Sequence, residues 1–229
     1  MKSVLFSTSQ TSNTILDILR SNGEFDACNF VGILDDAAEK LGKNYYGLPV
    51  IGSWKDIARL AKEEGVTHFA VGLAAVKHVQ IKSALFRYCV SLGLTPVGSV
   101  HRTAYISASA KVGSGNLIMS YTSITVDCRV GNNCLITSSA ALMEDVTLED
   151  DVTLITSFIG AGCHVEEKVY IGPGSSIGAG VRIGRNSIVG AGSVVLKDLP
   201  PNSFAVGSPA RVIKANESYL PEPEWMVTG

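Results

Sequence analysis

The chain has 229 residues, 46% of them hydrophobic and 17% charged, which leaves room for one large or two ordinary domains and excludes disorder as the default state. Lys and Arg (19) nearly balance Asp and Glu (21), so no basic field marks a nucleic-acid partner and no charged tail is present. Five cysteines, an odd number with no CxxC pair, fit a reducing compartment rather than a disulfide framework, so cytoplasmic residence is expected.

The opening "MKSVLFSTSQTSNTILDIL" is broken by Ser, Thr, Gln and Asn before any signal-peptide run forms, and no stretch reaches the roughly 18 apolar residues of a membrane span. Residues 2–8 read as a strand. "SNTILDILRSNG" (12–23) reads as a helix that opens on cap-type residues, spaces Ile15, Ile18 and Leu19 helically and closes on Gly23. "NFVGILDD" (29–36) is a second strand ending in Asp35 and Asp36. A helix at 53–65, a strand at 66–73, a longer helix at 75–93 and a last strand at 94–100 complete the series. This alternation predicts an α/β domain over 1–100 with a parallel, Rossmann-like sheet, whose ligands sit at the carboxyl ends of its strands.

From about residue 102 an aliphatic residue returns every six positions: Ile106, Val112, Ile118, Ile124, Val130, Ile136, Leu142, Leu148 and Leu154. The series slips by one residue and resumes at Ile159, Val165, Ile171, Ile177, Ile183 and Val189. A mostly small residue precedes each aliphatic one by two, among them Thr122, Cys128, Cys134, Ala140, Cys163, Ser175, Ser187 and Ser193. Short strands between tight corners, wound as a parallel β-helix, follow from this period. Three hexads per turn give five coils over 101–207, and 208–229 is left as a tail. Cys128, Cys134 and Cys163 read as core. Phe158 is too large for the small slot and is expected to mark a bulge.

With "VGILDDAAEKLGKNYYGLPVIG" (31–52), "HRTAYISASAKVG" (101–113), the hexads and "VGAGSVVLKDLPPNSFAVGSPARVIK" (189–214), the sequence resembles the hexapeptide-repeat acyltransferases with left-handed β-helices. It is most similar to the two-domain type that acylates nucleotide-linked amino sugars, including bacillosamine N-acetyltransferases and the O-acetyltransferases of sialic acid gene clusters. The resemblance implies a homotrimer, with acetyl-coenzyme A as acyl donor in the groove between adjacent β-helices and the nucleotide of the sugar held by the first domain. It points to Asp35 and Asp36 for the nucleotide or sugar, to Gly160, Gly162, Gly178 and Gly180 for the pantetheine arm, and to Arg211 and Lys214 for the coenzyme phosphates.

The chain departs from that family at three places, one of them Leu73 and Ala74 after the 66–73 strand, where the family tends to place polar residues. Where the family carries its catalytic histidine, "LMEDVT" (142–147) has Glu144, with Asp145 in the slot of the neighbouring acid; a second family histidine aligns with Thr153. Where the family has a Gly-rich turn after the first strand, "STSQTSN" (7–13) offers hydroxyls and amides instead, Ser9 and Thr11 among them. Glu144 and Asp145 are therefore candidates for the base, against an ordinary polar corner. His164, the one histidine inside the repeats, points outward one coil beyond Thr147 and is a third candidate. Glu149, Asp150 and Asp151 read as solvated corner residues.

The expected activity is transfer of an acetyl group to the amine of a nucleotide-linked deoxy-amino sugar for polysaccharide biosynthesis. A sugar O-acetyltransferase and a trimeric scaffold without catalysis are the rivals. No metal-ligand cluster stands out in the sequence, and acyl transfer needs none.

Overall fold

The structure, a computed structural model, describes residues 1–217 and 224–227. It divides into two compact units, one built from Met1–Ser99 and joined by Glu224–Val227, the other beginning at Val100.

In the first unit, strand β1 (Ser3–Phe6) is buried along its whole length, as its run of apolar residues requires. Helix α1 (Gln10–Asn22) starts at Ser9, whose hydroxyl accepts the Ser12 N–H, and stops at Gly23 in the left-handed region (φ 76°). It buries Ile15, Leu16, Ile18 and Leu19 against the sheet side. A short turn, α2 (Phe25–Cys28), leads into β2 (Phe30–Leu34). The hairpin β3 (Asn44–Tyr45) and β4 (Leu48–Gly52) follows, turning through Tyr46 and Gly47 at φ 56° and 85°. This hairpin is absent from the sequence-based series, because Pro49 and its short length hide a strand in "LPVIG". Then come α3 (Ile57–Glu63), β5 (His68–Val71), α4 (Val79–Ser91) and β6 (Thr95–Pro96).

The sheet order is β3-β4-β2-β1-β5-β6, parallel except for the hairpin. The chain winds outward through β2 and β4, then crosses to the other side of β1 for β5, so the loops after β1 and β5 meet at the switch point of the sheet. The strand expected at 94–100 is two: Thr95–Pro96 joins this sheet, and Ser99–Val100 starts the first face of the second unit.

The second unit is a parallel coil with three faces. Two-residue strands pair with those 18 residues on, as Leu117 with Leu135 and Ser123 with Ala141. One face, from Lys111–Val112 to Arg182–Ile183, has five strands, in keeping with five coils. The aliphatic seam is sealed, with Ile118, Ile124, Ile136, Leu142 and Leu154 all at 0% exposure. The small slot has a chemical reason as well as a steric one. Thr122, Cys128, Cys134, Cys163 and Ser175 each turn a hydroxyl or thiol onto the carbonyl 15 residues ahead, so corner carbonyls facing the core are satisfied. These cysteines are core, as expected, and burial pushes the Cys163 thiol up.

The one-residue slip lies in a shortened corner, Ile155–Ser157, with Thr156 at φ 43°. Across it the offset is 17, as in Thr153 with Tyr170. The bulge expected at Phe158 does not occur: Phe158 pairs in register with Ala141, points outward, and leaves the small slot to Ser157. Ala210–Ala215, within the segment read as a tail, pairs antiparallel with Ser203–Gly207 and extends the first face.

Candidate active site

Parallel register fixes which side chains share a surface. On the five-stranded face the outward column is Lys111, Arg129, Thr147, His164, Arg182, each paired with the next. The corner entering that face stacks Ser109, Asp127, Asp145, Gly162 and Gly180. Backbone amides hold the corner column: Asp127 N–H donates to the side-chain Oγ of Ser109 at 2.9 Å, Asp145 N–H to Val126 O at 3.1 Å, Gly162 N–H to Glu144 O at 2.9 Å and Gly180 N–H to Ala161 O at 2.8 Å. Early coils thus present carboxylates at this corner, and later coils present bare backbone.

A groove of about 600 Å³ opens along the early part, lined by Ser109, Lys111, Asp127, Cys128, Arg129 and Asp145. That volume is in the range of small-molecule sites. Glu144 and Asp145 are both exposed corner residues, Asp145 with φ 55°, and Asp145 lines this groove.

His164 is half-buried and turned outward, one coil beyond Thr147 as expected. Its Nε2 lies 2.7 Å from Glu149 Oε1, and the other Glu149 oxygen accepts the Glu167 N–H at 3.1 Å. The reading of Glu149, Asp150 and Asp151 as solvated corners holds for Asp150, which is exposed, and is corrected for Glu149, half-buried against His164, and for buried Asp151. Asp150 Oδ1 accepts the Asn132 N–H at 2.6 Å, and Asp151, 5% exposed, accepts from Asn133 Nδ2 at 2.6 Å. These three carboxylates tie one coil to its neighbours, and Glu149 also fixes the imidazole. The sequence signal for that partnership was available only through the slip, which places residue 164 on the coil after 147.

The four glycines differ. Gly162 and Gly180 have φ 68° and 71°, with open space where a Cβ would stand. They leave uncovered backbone that a thioester-bearing arm can approach. Gly160 is buried, and a Cβ there would meet the Ala179 backbone N at 2.7 Å; at Gly178 it would meet Val195 O at 3.3 Å. Stacking of coils alone demands glycine at 160. Arg211 and Lys214 are exposed on the last strand, where Lys214 Nζ lies 5.4 Å from the Phe204 ring centroid.

In the first unit, Ser9 caps α1 and donates its hydroxyl to Gly72 O. Thr11, in the first turn of α1, is partly exposed. Asp36 is exposed as a residue and accepts the Trp54 N–H at 2.8 Å; partial desolvation of its carboxyl, with the neighbouring charges of Asp35 and Asp56, raises its pKa despite that bond. Asp35 is turned inward. It accepts the Thr8 N–H and hydroxyl, both at 2.8 Å, the Ala37 N–H at 3.1 Å and the Lys40 ammonium at 3.1 Å. Lys40 and Thr8 are contributions not read from the sequence, although Lys40 follows Asp35 by only five residues in "DDAAEK". Ser7, at φ 79°, takes the left-handed conformation that a glycine would ordinarily supply after β1.

Burial works against the Asp35 carboxylate, but the Thr8 and Ala37 amides, the Thr8 hydroxyl and Lys40 together outweigh it and hold its pKa below the usual carboxylate range. With the folded pKa depressed, the stabilisation is full above the unfolded value of about 3.9 and is lost as pH falls through the folded value. Asp35→Asn is expected to cost about 2 kcal/mol at neutral pH, as a charge-assisted network with a buried acceptor is lost. Urea titrations at neutral pH and near pH 3 should show the difference between wild type and variant shrinking on the acid side.

A doubly wound α/β unit followed by a three-faced hexapeptide coil is the architecture of the two-domain sugar acyltransferases, and the resemblance read from the sequence holds over nearly the whole chain. Superposition on a histidine-to-alanine mutant of GDP-perosamine N-acetyltransferase from Caulobacter crescentus, solved with CoA and GDP-perosamine, gives a TM-score of 0.84. The identity is 27%, covering 93% of this chain and 97% of that one. The histidine-to-asparagine mutant of the same enzyme matches with a TM-score of 0.72 and 25% identity, covering 93% of this chain and 97% of that one. WeeI from Acinetobacter baumannii AYE shares the fold, with a TM-score of 0.76 at 21% identity over 93% of this chain and 100% of that one. The coil is therefore a left-handed β-helix. A family profile described as the GMPPB C-terminal domain matches residues 100–194. An acyl-[acyl-carrier-protein]--UDP-N-acetylglucosamine O-acyltransferase from Xylella fastidiosa is 37% identical over 65 residues. That match covers 28% of this chain, which spans about a quarter (24%) of the length of that relative. Among the described residues no helix is long and apolar enough to cross a membrane, and no group of three His, Cys, Asp or Glu side chains is assembled that would hold a metal.

Proposed function

We propose that the chain is an acetyl-coenzyme A dependent N-acetyltransferase acting on the amino group of a nucleotide-linked deoxy-amino sugar, as a homotrimer in the cytoplasm. The observation that carries this is the likeness, through both units, to an enzyme solved with CoA and a GDP-linked amino sugar. The first unit is proposed as a Rossmann-like nucleotide-sugar-binding domain. Thr11 and Asp36 are its ligand-facing candidates, with Ser9 and Asp35 shaping the loop after β1.

The chemistry requires the amine lone pair to attack the thioester carbonyl. The C–N bond forms, the C–S bond breaks, and the proton lost by nitrogen ends on the departing coenzyme A sulfur. Of the three candidates Glu144, Asp145 and His164, we assign proton transfer to His164. Glu149 orients its ring through Nε2, which leaves Nδ1 for the substrate, the arrangement of a base and its orienting carboxylate. Asp145 holds the amine in the groove, and exposed Glu144 is left as a neighbouring charge. The acyl arm lies along the bare corners at Gly162 and Gly180, the coils immediately beyond Asp145, with the walls at Gly160 and Gly178. Arg211 and Lys214 serve the coenzyme phosphates as point charges.

The match to an O-acyltransferase is limited to 65 residues, 28% of this chain, so it does not favour oxygen over nitrogen. Acetyl-coenzyme A at 100 times its dissociation constant is expected to stabilise the protein by about 2.7 kcal/mol, read as a rise in melting temperature. Thiol release should then depend on an amino-sugar nucleotide. No melting shift with acetyl-coenzyme A would leave the scaffold reading and end this one.

A further inference from the structure

His164 is the first of two basic side chains that the coil mounts in the same way. Glu149 and Glu166 each stand two residues past the outward residue of their own coil, Thr147 and His164. Each gives one oxygen to a corner amide of the next coil, Glu149 to the Glu167 N–H at 3.1 Å and Glu166 to the Arg185 N–H at 2.8 Å. Each gives the other oxygen to the outward base of that coil. Glu149 Oε1 lies 2.7 Å from His164 Nε2, and Glu166 Oε1 lies 2.7 Å from Arg182 Nε and 2.5 Å from its Nη2.

The Arg185 amide and then Arg182 hold the Glu166 carboxyl below the usual carboxylate range, so the anchor stays charged. Asp198 accepts the Arg182 N–H at 2.8 Å, which fixes the backbone as well as the side chain. The far edge of the guanidinium is not spent on the fold. Nη1 has no partner among the described residues, and the Arg182 side chain is 55% exposed where that of Glu166 is 13% exposed.

Arg182 pairs in register with His164, one coil on, at a spacing of about 4.8 Å. It follows Gly180 by two residues, as His164 follows Gly162, and both glycines leave open space where a Cβ would stand. An acyl arm along those two corners brings its thioester carbonyl to His164. The next atom of the arm towards Gly180 is the sulfur, on the side where Arg182 stands.

We propose that Arg182 is a catalytic residue for the acyl donor, its free guanidinium edge meeting the thioester sulfur and stabilising the negative charge that gathers there as the C–S bond breaks. This rests on the acetyltransferase reading and adds to it the group that serves the leaving sulfur. As the amine nitrogen bonds to the carbonyl carbon, the C–S electron pair departs with sulfur. The proton that His164 took from nitrogen then neutralises it, and Arg182 carries the charge between the two events. A guanidinium suits that task because it stays protonated and does not compete for the moving proton.

Titration of coenzyme A bound to the full-length protein, followed by the ultraviolet absorbance of the thiolate, tests this without turnover. The bound thiol is expected to titrate about one pH unit or more below free coenzyme A, a tenfold preference for the thiolate. Arg182→Gln should bring it back to within about 0.3 unit of the free value, and Arg182→Lys should keep part of the shift as a point charge without the fork. Glu149, His164, Glu166 and Asp198, the other titratable groups of this column, are unchanged in both variants. Desulfo-coenzyme A lacks the sulfur, so its affinity, read from the melting shift, should differ less than about twofold between wild type and Arg182→Gln. In turnover Arg182→Gln should lower kcat about 10–100-fold, with KM for the amino-sugar nucleotide changed less than about threefold.

A bound thiol that titrates alike in wild type and Arg182→Gln overturns the assignment and leaves the acetyltransferase reading standing. No melting shift with either coenzyme ends that reading and this assignment with it. Circular dichroism of each variant establishes that the β-helix is formed.

Discussion

His164→Ala is expected to lower kcat about 10²–10⁴-fold, the usual worth of a positioned base, with KM for both substrates changed less than about threefold. The effect follows from the position of the ring. Glu149 Oε1 lies 2.7 Å from Nε2 and is itself held by the Glu167 amide, so the imidazole is presented in one orientation and one tautomer. Glu149 acts through His164, and its variants should behave accordingly. Glu149→Gln should cost about 10–100-fold in kcat, the range of a lost orienting partner, and Glu149→Asp should retain more. Imidazole nitrogen chemical shifts should report a changed tautomer balance in the Gln variant, which a purely structural role would not produce. Glu144→Ala is expected to keep turnover within about threefold of wild type, as for a solvated residue off the reaction path. A collapse of kcat in Glu144→Ala with His164→Ala near wild type would return the base to the slot where the resembling enzymes carry histidine.

Gly72→Ala is expected to destabilise the first unit by about 3 kcal/mol, the upper part of the range for forced overpacking. Gly72 follows β5 at the switch point, and a Cβ on it would stand 1.9 Å from Ser12 Oγ and 2.8 Å from Ser12 Cα. A free hydroxyl would rotate away, but this one donates to Ser7 O at 2.6 Å, and the Cα belongs to the first turn of α1. Relief therefore requires α1 to move off the sheet, which also breaks the bond from the Ser9 hydroxyl to Gly72 O. Calorimetry should show the melting of this unit lowered by more than about 10 °C. Amide exchange should quicken first in residues 10–14. Unchanged melting would mean that the loop after β1 is looser than its hydroxyl network implies.

The repeats were the most legible part of the chain, for a physical reason. A hexad places one aliphatic side chain on the coil axis per face, so the six-residue period in Ile118, Ile124 and Val130 is the fold written out one strand at a time. The core cysteines followed from the same slot. The α/β alternation was also readable, except for β4, where Pro49 interrupts the pattern, and for the split of 94–100 between two sheets. Sheet membership is set by which backbone edge is free, and a run of residues does not encode that.

The site was legible only as far as its periodicity. Position 144 was aligned with the family histidine through the resemblance, and position 164 was placed one coil beyond Thr147 by counting. Lateral neighbours were invisible. That Glu149 reaches His164, that Asp35 is consumed by Thr8, Ala37 and Lys40, and that Glu166 holds Arg182 are decided by register between coils and by loop geometry. By itself the sequence determined the coil and its inward residues, because each rests on a local period, and its motifs at 31–52 and 189–214 showed the class of protein it resembles. Only the tertiary structure decided which charges are spent on the fold and which are left for a substrate, because that depends on side chains 15 to 18 residues apart meeting across the stack.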